Sequence, residues 1–242
     1  MDASSERAPG ALDRRLRALD GCCRLSRRLL CAQPGPAMPE EPPVSESLFA
    51  QIEAVRAAWD VLRHPFYARW SCGELTRDEL ARYAGQYRHA VVALAEAAER
   101  AGSPHADEER AHVGLWDGFV GAVGGRTDAD ALPETAACAA AWAGEGRDPL
   151  AGLAALYAIE ASQPAISETK RAGLVRFYAC APESAATGYF DVHAERDHEH
   201  AAEGRAQLAA SATAADTPRL VAAAEDALRA NWRLLDGVER AA

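Results

Sequence analysis

The stretch Tyr189-Phe-Asp-Val-His193-Ala-Glu-Arg-Asp197-His198-Glu-His200 holds three of the seven histidines of the chain within eight residues. On a helix, His193, Asp197 and His200 are spaced i, i+4, i+7 and project from one face within roughly 60° of arc. His198 and Glu199 point elsewhere. Imidazole, carboxylate and imidazole on one stripe are the donor types of a transition-metal site. The competing reading is a polar, solvated helix face. The sharper reading requires other helices to bring further ligands, so it decides the fold as well as the chemistry.

The remaining helices are legible outward from that stripe. Thr217–Glu239 closes the chain, with Leu220, Ala224, Ala227, Leu228, Trp232 and Leu235 on one side. Upstream, Ser47–Arg63 carries Leu48, Ile52, Val55, Trp59 and Leu62 at helical spacing. His64-Pro65 ends it, because the residue before proline avoids the helical region. A short turn is expected over Tyr67–Cys72. Thr76–Arg100 reads as a long helix, with Thr76 and Glu79 forming the capping-box pattern. Further helices are expected from Ser103-Pro104 to about Val123, and over Pro133–Ala143, Pro149–Ser162, Pro164–Tyr178 and Pro182–Ser211. No strand-like alternation is present. The expectation is an all-α bundle of about eight helices in one domain, residues 45–242.

Residues 1–44 differ in character. The first 37 hold seven Arg against four acids and three of the six cysteines, and they end in Gln-Pro-Gly-Pro-Ala before Met38-Pro-Glu-Glu-Pro-Pro. They read as a flexible, basic, proline-rich extension, with Met38 a plausible natural start. The formal net charge of the whole chain is −10. That argues against nucleic acid and anionic membrane as partners. No apolar run approaches the ~20 residues that span a bilayer. The cysteines (22, 23, 31, 72, 138 and 180) show neither metal-binding nor disulfide-framework spacing. A reduced, cytoplasmic protein is expected.

Other ligands can be sought on the other helices. Asp107-Glu108-Glu109-Arg110-Ala111-His112 places Glu109 and His112 at i, i+3, and Glu108 at i, i+4 from His112 is the fallback. Taken alone, an acidic run there is ordinary helix N-terminal charge. Glu160 lies in the apolar segment Ala154-Ala-Leu-Tyr-Ala-Ile-Glu160-Ala, where an isolated carboxylate is costly to bury unless paired or metal-bound. Carboxylate-x-x-His on two helices, with a Glu from another, is the inward-facing donor pattern of di-iron carboxylate bundles.

These segments together resemble the heme-oxygenase-like di-iron oxidases and oxygenases, kin of the TenA and PQQ synthesis protein C folds, over roughly residues 46–240. His64-Pro-Phe-Tyr-Ala-Arg-Trp70, Tyr83-Ala-Gly-Gln-Tyr87, Glu108-Glu109-x-x-His112-x-x-Leu-Trp116, Leu156-Tyr-Ala-Ile-Glu160 and His193-x3-Asp197-x2-His200 carry the resemblance. It implies six metal ligands: Glu109, His112, Glu160, His193, Asp197 and His200. It implies two iron ions, with manganese accepting the same donors, and O2 as co-substrate. Relatives of this kind are often dimers, which implies a homodimer. The metal-free thiaminase chemistry of TenA needs a nucleophilic cysteine on the helix that here spans residues 152–162, which has none. A PQQ protein-like cofactorless oxidase would need a basic pocket without the carboxylates. A non-enzymatic binding module remains the alternative from another class.

Lys170 is the sole lysine among 26 basic residues. A chain that uses arginine wherever charge suffices keeps a lysine where an amine that can be deprotonated or used as a nucleophile is needed; chance retention on a solvated helix is the competing account. The surrounding Glu160-x3-Pro164-x5-Lys170-x2-Gly173-Leu resembles the CADD-type branch, named for a chlamydial protein. The resemblance implies formation of p-aminobenzoate from the protein's own tyrosine, with Lys170 as amine source. Tyr67, Tyr83 and Tyr189 are the candidate tyrosines, each equally readable as a core aromatic. Tyr189 precedes His193 by four residues and so lies over the metal stripe. The alternative is a small amino acid or fatty acid taken from outside.

Overall fold

The computed structural model describes residues 44–241, with side chains from residue 46; the expectations placed on residues 1–43 lie outside the described residues. Among the described residues nine α-helices follow one another: α1 Val44–Ala58, α2 Pro65–Cys72, α3 Arg77–Ala101, α4 Ala106–Ala122, α5 Pro133–Ala143, α6 Pro149–Glu160, α7 Gln163–Phe177, α8 Gly188–Ser211 and α9 Thr217–Arg240. Short 3-10 turns precede α2 and α9. There is no strand among the described residues. The count exceeds the expected eight because the segment after His64 is a helix and not a turn. Pro65 occupies its first turn, where a missing N–H costs nothing. The His64 ring accepts the Phe66 N–H at 3.1 Å as a side-chain cap. Gly73 closes the helix in the left-handed region, φ 71°.

Other boundaries moved for local reasons. The first helix stops at Ala58 and not Arg63, because the Asp60 carboxylate caps the Leu62 N–H at 3.0 Å and starts a 3-10 turn. Helix α4 begins three residues after Ser103, whose hydroxyl accepts the His105 N–H and holds a turn. Helix α8 begins at Gly188 and not Pro182. Between them Glu183 takes φ 53°, and the Ser184 N–H bonds the Thr187 hydroxyl. The Thr76–Glu79 capping box forms as its residues dictate, with both reciprocal bonds present.

Helix α6 is apolar all round and buried from Leu153 to Glu160, the signature of a central helix. It packs against α3, α8 and α9. Helices α3 and α4 pair along their length, as do α7 and α8. Three indole N–H groups tie elements together through backbone carbonyls: Trp70 to Lys170, Trp116 to Ala84, and Trp142 to Ala227, at 2.9–3.0 Å. On α9 the expected inner residues are buried except Trp232, which is half-buried beside Trp59 and His64. No helix among the described residues is long and apolar enough to cross a membrane.

Candidate metal centre

Helix α4 presents Glu109 and His112 inward, and α8 presents His193, Asp197 and His200; all five are at most 4 % exposed. His198 and Glu199 are exposed. The five converge as two trios that share Glu109: Glu109, His112 and His193, and Glu109, Asp197 and His200. Within each trio one donor atom per residue lies within 4.8 Å of the others. Glu109 Oε1 stands 3.5 Å from His112 Nδ1 and 3.4 Å from His200 Nδ1, and its Oε2 is 4.0 Å from His193 Nε2. Asp197 Oδ1 is 3.4 Å from His200 Nδ1.

Glu160, at the C-terminal end of α6, belongs to neither trio but is buried beside them. Burial pushes its carboxyl well above the usual carboxylate range, and the charges of Glu109 and Asp197 push the same way. Two carboxylates already facing it make a third expensive without a cation. Burial also pushes Glu109 up, but the imidazoles of His112, His193 and His200 around it more than offset this and hold it well below its ordinary value. Burial pulls His200 down, yet Asp197, Glu109 and Glu160 raise it to about 10. Without metal, protons on imidazoles neutralise this pocket; a divalent cation would displace them.

The hydrogen-bond pattern tests whether a metal fits. Buried atoms without a hydrogen-bond partner among the described residues include Glu109 Oε1, His112 Nδ1, His193 Nε2, both Asp197 oxygens and both His200 nitrogens. Buried polar atoms are nearly always satisfied, so such a concentration of orphans in one place marks a missing ligand. His193 is already oriented as a ligand. Its Nδ1 is 2.7 Å from the Tyr189 carbonyl one turn back, which turns Nε2 toward the trio. Three imidazoles with carboxylates suit iron.

A family model described as an iron-containing redox enzyme matches residues 78–234, a span that contains every donor named above. The chain belongs to the iron-containing redox enzyme family. It is an oxidoreductase. A relative from Nitrosomonas europaea, named 4-aminobenzoate synthase, is 34 % identical over 228 residues, covering 78 % of this chain and 89 % of its own. Two solved structures share the fold. One, from Shewanella denitrificans, is described as heme oxygenase-like: TM-score 0.67, 22 % identity, covering 80 % of this chain and 92 % of its own. The other is a TenA homologue from Pseudomonas syringae pv. tomato: TM-score 0.68, 18 % identity, 82 % and 93 %. At those identities they speak for the heme-oxygenase-like, TenA-like bundle alone.

Lys170 of this iron-containing redox enzyme is 1 % exposed. Its Nζ lies over five aromatic faces, at 4.6 Å from the Tyr87 ring centre, 5.1 Å from Tyr67, 5.5 Å from Tyr83 and from Phe190, and 5.7 Å from Trp116. Burial holds the amine well below its ordinary pKa. The Tyr67 and Tyr83 hydroxyls bond each other at 2.7 Å. Tyr189 sits on the metal side of the aromatic cluster: it stacks on the His193 ring at 3.8 Å and meets Trp116 edge-on at 4.8 Å. Burial raises all three tyrosines above their usual range. The geometry thus places Tyr67 and Tyr83 beside the amine, and Tyr189 beside the imidazole.

Two residues at the rim lay outside the six expected ligands. His105 stacks on His200 at 4.1 Å between ring centres, and Glu108, the fallback, stands 3.7 Å from His200 Nε2. His105 lies before the first turn of α4, where helical periodicity carries no information, and its partner is 95 residues away.

Proposed function

We propose that this protein binds two iron ions through Glu109, His112, Glu160, His193, Asp197 and His200, and makes 4-aminobenzoate from one of its own tyrosines, with Lys170 giving the nitrogen. The observation that carries the reading is Lys170. A lone lysine, buried against Tyr67 and Tyr83 with its amine held well below its ordinary pKa, has no evident structural task. The name of the Nitrosomonas europaea relative supports the product.

Bound iron would supply the activation of O2, which no side chain here can perform. The chain's own residues do the rest. Glu109, shared between the trios, would hold the two ions together. His193, locked by the Tyr189 carbonyl, keeps Nε2 toward the metal. The aromatic walls exclude water, so the amine keeps its lone pair free instead of taking up a proton. The Tyr67–Tyr83 hydrogen bond fixes both hydroxyls and turns each phenol ring toward Lys170. No organic substrate from outside is needed, O2 being the oxidant, and the product leaves one chain altered at one tyrosine and one lysine.

The test is iron-loaded protein given O2, with 4-aminobenzoate quantified and intact mass recorded. Lys170→Arg should keep its metal and yield none, since arginine holds its proton and offers no free amine lone pair. Full product from Lys170→Arg would remove the self-derived nitrogen and leave an oxygenase acting on a substrate from outside.

A further inference from the structure

A third group of donors shares only His200 with the two buried trios. His105, Glu108 and His200 offer one atom each, all within 4.8 Å of one another. Glu108 Oε2 is 3.8 Å from His105 Nδ1 and 3.7 Å from His200 Nε2. The group opens outward: the side chains of His105 and Glu108 are 18 % and 30 % exposed, whereas that of His200 is fully buried. Glu203 accepts a bond from His105 at 2.8 Å and orients its ring.

An ordinary ion-pair network explains part of this. Arg196 holds both oxygens of Glu108, at 2.9 and 3.0 Å. It does not explain His200, whose Nε2 is buried, has no hydrogen-bond partner among the described residues, and faces the Glu108 carboxylate across a gap too long for a bond. Arg196 occupies one lone pair on each oxygen, and the carboxylate has others free on its inner side.

We propose that His105, Glu108 and His200 form an outer position for a divalent transition metal, where an ion first binds before passing to the buried trios. His200 is the pivot. Its Nδ1 faces Glu109 and Asp197, each at 3.4 Å, and its Nε2 faces Glu108. A neutral imidazole offers one lone pair at a time. One ring therefore serves one position at a time: an ion held through Nε2 outside and one held through Nδ1 inside compete for His200, and the outer position empties as the inner one fills. Glu109 and Asp197, buried and without hydrogen-bond donors to satisfy them, supply the pull.

Cobalt(II) tests this, because its visible absorbance reports coordination without O2 or product. In Glu109→Gln/Asp197→Asn, which disables both inner trios, about one Co(II) per chain should still bind. Adding His105→Ala should abolish it. In the otherwise intact chain, His105→Ala should reach the same final Co(II) content as wild type, but about tenfold more slowly in stopped-flow loading, in line with the 10–100-fold that losing an orienting partner of a metal ligand costs. Arg196→Gln, which removes a competing positive charge, should tighten Co(II) binding in the inner-disabled protein and serves should the double variant bind too weakly to measure. The proposal is overturned if His105→Ala loads at the wild-type rate, if the inner-disabled protein binds no Co(II) in either Arg196 background, or if His105→Ala lowers the final content, which would make His105 an inner ligand. Failure of 4-aminobenzoate formation leaves all these outcomes untouched.

Discussion

Gly173→Ala should be among the most damaging single-methyl additions in the protein. Gly173 lies one turn past Lys170 on α7. A Cβ there would stand 2.5 Å from Trp70 Cδ1 and 2.6 Å from Nε1. Trp70 is fully buried and cannot retreat, being walled by Phe66, Tyr83, Phe119 and Tyr178 at 5.3–6.4 Å between ring centres. Overpacking of this kind costs about 1–3 kcal/mol. The displaced indole also gives up its bond to the Lys170 carbonyl at 3.0 Å, and a buried donor left unpaired costs about 1–3 kcal/mol. Alanine recovers roughly 0.5–1 kcal/mol of helix preference. The net is a loss of about 1–5 kcal/mol, each kcal/mol lowering the melting temperature by roughly 2–4 °C for a chain of this size. Gly114→Ala is the control: that site is exposed in α4, with nothing within 4 Å of the added carbon, so only the helix gain applies. Urea denaturation followed by circular dichroism measures both. Gly173→Ala unfolding at the wild-type urea concentration would refute the reasoning that Trp70 leaves no room for a methyl group at Gly173.

The remaining predictions concern charge and metal. Lys170→Met should stabilise the metal-free protein at neutral pH. Burial lowers the amine's folded pKa below its unfolded value of about 10.4, so between the two the unfolded chain binds the extra proton. Wild-type stability therefore rises with pH through this window, and the advantage of the variant should shrink toward pH 10, as read by urea titrations at several pH values. His193→Ala and His200→Ala should each empty at least one metal position while retaining helicity, checked by elemental analysis alongside circular dichroism; unchanged metal content in both would show the site misread. Glu160→Gln should stabilise the metal-free chain, by removing a buried carboxyl crowded by two others, yet weaken metal binding in a competition titration.

The helices that carry the candidate donors were legible in the sequence because their information is local. His193, Asp197 and His200 share one stripe whatever surrounds them, and Thr76 with Glu79 announces a helix start within four residues. Glu160 was legible for the opposite reason, as a single charge in an apolar helix. What escaped was set by distant chain. That Tyr87, Trp116 and Phe190 close over Lys170 depends on how three helices pack, and no spacing encodes it. His105 precedes the first turn of its helix, so periodicity says nothing of its direction. The breaks at Asp60 and Glu183 follow from side-chain caps and one left-handed residue, which compete with helix propensity too narrowly to be settled from composition.

The orphaned polar atoms between α4 and α8 carry a consequence for the lifetime of the protein in a cell. A metal bound there would give each the contact it lacks, so an empty chain would open more often than a filled one. Binding to the native state alone adds stability as RT ln(1 + [L]/Kd), about 4 kcal/mol at a thousandfold excess over Kd. Proteases act on the opened fraction. Iron supply would then govern how much of this protein survives as well as how much of it works, and cells starved of iron would clear the idle copies first.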